Sequence, residues 1–150
     1  VICRWEKNGL ILDLMPTDEK ILGFSNPWYM DAIKYKSSTI IDGMKVHHIS
    51  APYFIGTKLE AFETRGKNDY WSSHDFEDII SVIDGRIELQ SEIVNTDISL
   101  RKYIKDRFTQ LVNNEQFIEA LPGYLPPDAA SQKRLQSLKD KLQKLAELAL

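Results

Sequence analysis

A lysine stands where helical periodicity asks for an apolar residue, and that placement constrains this chain more than any other feature. The stretch from Ser50 to Asp84 reads as helix, loop, helix. Ser50 suits an N-cap and Pro52 the first turn; Ser72 or Ser73 can cap a second helix, which Gly85 ends. At roughly 100° per residue, Phe54, Ile55, Ala61, Phe62 and Arg65 all project within about 60° of Lys58, while Thr57, Glu60, Glu63 and Thr64 lie about 100° or more away. Lysine is rarely buried without a partner. The second helix offers one. Its apolar arc is Phe76, Ile79, Ile80, Val82 and Ile83; Asp75 shares a stripe with Ile79 and Val82, and Asp78 sits at the edge. Helices joined by a short loop pack together, so Lys58 can meet both acids. Two readings follow. A buried ion pair would fix the register of the helices. A lysine opening onto a cleft would await phosphate, and Lys58→Met would then be close to neutral; this second reading is the expectation. The linking loop Arg65-Gly66-Lys67-Asn68-Asp69 is net basic, and Arg65 and Lys67 suit either plain solvation or a phosphate contact.

Elsewhere the chain is less explicit. Its 150 residues suggest one domain with a core, and a net charge of −3 argues against a global basic field for nucleic acid or an anionic membrane. Cys3 is the single cysteine, so no internal disulfide forms, which favours a reducing, cytoplasmic setting. No apolar run approaches the roughly 20 residues of a membrane span. The first residue is valine, and the natural start is expected upstream.

Asn8-Gly9 is a hairpin signal between two strands, Val1 to Lys7 and Leu10 to Met15. Asp13 then falls inside an otherwise apolar strand, where it either opens onto a cleft or pairs internally. Ser25-Asn26-Pro27 reads as a turn, with Trp28, Tyr29, Ile33 and Tyr35 as core. Two short strands, Ser38 to Asp42 and Lys45 to Ser50, flank Gly43. His47 and His48 face opposite sides of a strand and, with His74 remote, match no metal-ligand spacing. No Walker motif or G-x-G-x-x-G occurs. Past Gly85 the pattern is helical: Arg86 to Val94, Asp97 to Val112, and a turn or two over Phe117 to Leu121. Pro122-Gly123 and Pro126-Pro127 mark a linker, and Asp128 caps a final helix. Leu135, Leu138, Leu142 and Leu145 are expected to pack on the same domain, with Lys133, Arg134, Lys139, Lys141 and Lys144 as a solvated face.

The residues Asp13-Leu-Met-Pro after a hairpin, Lys58-Leu-Glu-Ala-Phe, Arg65-Gly-Lys67 and His-Asp75-Phe-Glu-Asp78-Ile together resemble the AbiEii/AbiGii toxin family of nucleotidyltransferases, within the polymerase beta-like superfamily. The likeness covers roughly residues 1–90. It implies transfer of a nucleotidyl group from a nucleoside triphosphate with Mg2+, to RNA or protein. It also implies a bacterial toxin–antitoxin or phage-defence role, with transfer RNA and an antitoxin protein as partners. By resemblance Asp13 holds metal, Lys58 with Arg65 and Lys67 contacts the nucleotide, and Asp75 or Asp78 positions Lys58 or acts as base. The family's Gly-Ser and Asp-x-Asp segment is not in this sequence. The expectation is therefore the C-terminal part of such an enzyme. The alternative is an inactive remnant that binds a nucleotide or a protein. The fold expected is α+β: the end of a mixed sheet over about 1–50, a helical portion over 51–127, and an amphipathic helix over 128–150.

Overall fold

The computed structural model describes residues 3–66 and 69–150. Two antiparallel hairpins precede a helical body. The first pairs β1 (Arg4–Lys7) with β2 (Leu10–Asp13), and the second pairs β3 (Ser37–Ile41) with β4 (Met44–His48). Each closes on two residues of positive φ, Asn8 (53°) with Gly9 (79°) and Asp42 (49°) with Gly43 (79°). Asn-Gly and Asp-Gly tolerate this left-handed pair, whose twist matches the flanking strands. The hairpins are separate two-stranded sheets, not one mixed sheet.

Their burial departs from expectation. Every residue of β1 and β2 is exposed, with Leu10 at 78% and Ile11 at 59%. The nearly continuous apolar run from Leu10 to Met15 implies a strand buried on both faces, but none of the described helices covers it. Ile33 and Tyr35, expected in the core, are exposed too.

The helices are α1 (Glu19–Leu22), α2 (Tyr29–Lys34), α3 (Ala51–Arg65), α4 (His74–Gly85), α5 (Leu89–Val94), α6 (Ile98–Val112), α7 (Glu115–Ala120), α8 (Ala129–Gln132) and α9 (Leu135–Ala146), with a 3-10 turn over Leu121–Tyr124. Side-chain caps start several of them: Ser73 accepts from Phe76 N, Asp97 from Ser99 N and Asn114 from Phe117 N. Among the described residues none of these helices is long and apolar enough to cross a membrane.

The core lies where α3, α4, α6 and α9 meet. Ile55, Leu59 and Phe62 of α3, Phe76 and Ile80 of α4, Ile104 and Phe108 of α6, and Leu138 and Leu142 of α9 all join one buried cluster. Gly56 lets α3 approach closely; a Cβ there would meet Leu100 Cδ1 at 2.7 Å. The 122–127 stretch is anchored to this body through Leu125 and the half-buried Tyr124, while Pro126 and Pro127 stay exposed. Leu121 and Leu125 are buried, and the Gln132 amide donates to the Pro122 carbonyl at 3.0 Å. Asp128 caps the short α8, and the long helix begins afresh after Arg134. Part of the basic face of α9 is not simply solvated. Lys141 Nζ donates to the Ile83 and Asp84 carbonyls at 3.1 and 2.5 Å, and Arg134 pairs with Asp84 at 2.9 Å. The last carbonyls of α4 lack intrahelical partners, and a cation satisfies them.

Candidate functional site

The first turn of α4 faces the middle and end of α3. Lys58 Nζ lies 3.1 Å from Asp75 Oδ1 and 2.5 Å from Asp78 Oδ2, and Arg65 Nη2 lies 3.4 Å from the same Asp75 oxygen. The structure thus brings together four of the residues singled out in the sequence. Lys67 lies outside the described residues. Asp75 is the most enclosed, its side chain 13% exposed; Lys58 is 24% exposed and Asp78 48%. Phe54 supports the lysine from one turn below, its ring centroid 5.7 Å from Nζ. Burial pulls the Lys58 pKa down, but hydrogen bonds to Asp78 and Asp75 outweigh it and hold the ammonium above the ordinary lysine range.

Two expectations change here. Lys58 was placed at the centre of the apolar face of α3. The buried residues are Pro52, Tyr53, Ile55, Gly56, Leu59 and Phe62, a band whose centre lies roughly 110° round the helix. Lys58 sits at its rim. The reason is tertiary: α3 packs on α2, α5 and α6 as well as on α4. The solvated, waiting lysine is corrected as well, because the ammonium is engaged by two carboxylates.

Of the two readings of Asp13, pairing within the chain is the one found, though on an exposed strand and not a buried one. Asp13 lies on the exposed hairpin with both oxygens taken by Arg4, Nε to Oδ1 at 2.7 Å and Nη2 to Oδ2 at 2.8 Å. Its carboxyl is held below the usual range by that hydrogen bond. No hydrogen bond or ion pair among the described residues joins Asp13 to Lys58. The partner was legible: a two-residue turn at Asn8-Gly9 puts Arg4 directly opposite Asp13. The described residues contain no group of three His, Cys, Asp or Glu side chains that could hold a metal ion. Asp13 stands on the hairpin as a single carboxylate whose charge Arg4 already matches, so as placed it does not form part of a multi-carboxylate magnesium site. Asp13→Asn is expected to leave the urea unfolding midpoint unchanged, since an exposed pair contributes little. A clear fall in the midpoint would show that the hairpin is structurally coupled to the body.

Asn26 was missed. It is buried, donates from Nδ2 to the Thr57 carbonyl at 2.8 Å and accepts from Trp28 N at 3.1 Å, tying the loop before α2 to α3. Only its setting in a turn signalled it. His48 is fully employed: Nδ1–H donates to the Ile49 carbonyl, leaving Nε2 to accept from Thr39 Oγ1.

Comparison of the chain with protein-family models, with curated proteins and with solved structures finds no match.

Proposed function

We propose that this chain is the nucleotide-contacting part of a nucleotidyltransferase-like protein, in which the Lys58–Asp75–Asp78–Arg65 cluster receives the triphosphate of a nucleoside triphosphate. The observation that carries the reading is the posture of Lys58. An ammonium has three N–H donors, and the two aspartates engage two of them. A lysine aimed by a carboxylate and still holding a donor is a known way of gripping nucleotide phosphates, as in the lysine–glutamate pair of protein kinases. Arg65, with its side chain 60% exposed, adds a planar fork at the same acid. In this reading Asp75 orients the two cations and the half-exposed Asp78 is the group able to take a proton from an attacking hydroxyl. Magnesium, implied by the family resemblance, would come with the triphosphate. An RNA or protein acceptor and an antitoxin partner follow from that resemblance alone.

The exposed hairpins support the same lineage. An isolated two-stranded sheet is marginal in water, and further strands on an apolar face or packing against a helix are needed for stability. Leu10, Ile11 and Leu12 on β2, with Ile40 and Ile41 on β3, are exposed apolar strand residues that a larger sheet would cover in this reading.

The competing reading is a latch that only clamps α3 to α4, favoured by the matched charge of two cations and two acids. Titration of the chain with ATP, GTP, CTP and UTP in turn, magnesium present, separates them. Binding of at least one triphosphate is expected, weakened about ten-fold or more in Arg65→Ala, a surface change that leaves the fold intact. No binding, or binding indifferent to both Arg65→Ala and Lys58→Met, would leave only the latch.

A further inference from the structure

We infer that the base and sugar of this ligand sit in a cavity at the far end of the α3–α4 groove, between Phe54 and Arg86; the inference rests on the triphosphate reading above.

The two helices run antiparallel. Arg65 faces Asp75 and Lys58 faces Asp75 and Asp78, while Phe54 shares a cavity of about 320 Å3 with Ser81, Val82 and Gly85. At 1.5 Å per residue, Phe54 lies about 6 Å along α3 from Lys58, and Ser81 about 4.5 Å along α4 from Asp78. Phe54 is therefore the shared wall, with the lysine head on one side and the cavity on the other. The volume falls at the low end of small-molecule sites, which run from about 300 to 1,000 Å3, so it suits part of a nucleotide and not the whole.

Its walls carry the chemistry a nucleoside needs. Glu92 binds Arg86 edge-on, accepting from Nε at 2.7 Å and from Nη2 at 2.6 Å. A guanidinium held by one edge keeps its plane fixed and its faces available for stacking. The side chain is 48% exposed, so a planar ring can reach it. Stacking of a base on an aromatic or guanidinium face works for every base. Val82 adds apolar wall. The Ser81 hydroxyl makes no hydrogen bond to another described residue, which leaves it for a base edge or a ribose hydroxyl. Gly85 opens the floor: a Cβ built there meets no atom within 4 Å.

The test compares each nucleoside triphosphate with inorganic tripolyphosphate by calorimetric titration of the whole chain. The wild-type protein is expected to bind its preferred nucleoside triphosphate at least ten-fold more tightly than tripolyphosphate. Gly85→Leu, which fills the cavity, is expected to abolish that ten-fold preference while leaving tripolyphosphate affinity unchanged; Arg86→Ala should reduce it without adding bulk. Thermal melts confirm that each variant folds, and Ser81→Leu replaces Gly85→Leu if that chain does not. A preference that survives both the cavity-filling variant and Arg86→Ala overturns the cavity assignment and leaves the triphosphate site standing. Tripolyphosphate binding that is absent, or unaffected by both Arg65→Ala and Lys58→Met, overturns the triphosphate reading and this inference with it.

Discussion

Lys58→Met is expected to cost roughly 2–3 kcal/mol of folding stability, somewhat less than the about 3–5 kcal/mol typical of breaking a fully buried pair. The reduction has two sources. Asp78 is half exposed and returns to water when its partner is removed, and Arg65 remains 3.4 Å from Asp75 to offset part of the stranded charge. Asp75 itself, 13% exposed, bears the loss. Adding Asp75→Asn to Lys58→Met should recover part of it, because no uncompensated carboxylate is then left in the interface. The pH dependence has a definite sign. The Lys58 pKa is raised in the fold above its ordinary 10.5, so its contribution is fully present below that value and is lost as pH rises through the folded pKa. The gap between wild type and Lys58→Met in urea unfolding should therefore be constant from about pH 7 to 9 and narrow above the ordinary lysine value. A gap near zero at neutral pH would mean that the lysine is solvated after all and that the ion pairs contribute nothing net.

Phe76→Ala is expected to have the largest effect in the chain, about 3–5 kcal/mol, as for other buried phenylalanines. Phe76 is 0% exposed. Its ring meets Phe62 edge-on at 4.4 Å and lies 5.1 Å from Phe117, 5.7 Å from Tyr70 and 6.4 Å from Tyr124. These neighbours come from α3, α7 and the segments flanking them, so they cannot all collapse into the space vacated, and the residual void adds to the lost burial. With total stabilities of about 5–15 kcal/mol, such a loss brings the chain near unfolding at room temperature. The exposed Trp71, with 63% of its surface in solvent, is the contrast; Trp71→Ala should stay within about 0.5 kcal/mol. Urea unfolding of both variants decides it, and a Phe76→Ala loss below about 1.5 kcal/mol would remove the aromatic cluster as the centre of the fold. Phe76 also follows Asp75 directly in α4, so this variant tests how far the charged cluster depends on packing while its own four side chains stay in place.

The sequence by itself determined what depends on near neighbours along the chain. The Asn-Gly and Asp-Gly turns, the Ser73, Asp97 and Asn114 caps and the end of α4 are all set by hydrogen bonds within a few residues, so local residue types report them. The meeting of Lys58 with Asp75 and Asp78 was legible for a similar reason: a short loop joins the two helices and leaves them little choice but to pack. Tertiary structure alone decided the rest. Periodicity says that a helix has an apolar side, but which flank is most deeply covered depends on how many other elements reach it. Contacts from α2, α5 and α6 moved the buried centre of α3 away from Lys58 and onto Leu59. The same dependence left Asp13 exposed on an uncovered hairpin. It also turned Lys141 of a seemingly solvated face into the partner of the Ile83 and Asp84 carbonyls. Alternation and amphipathicity are properties of one segment, whereas burial is a property of the segments that cover it.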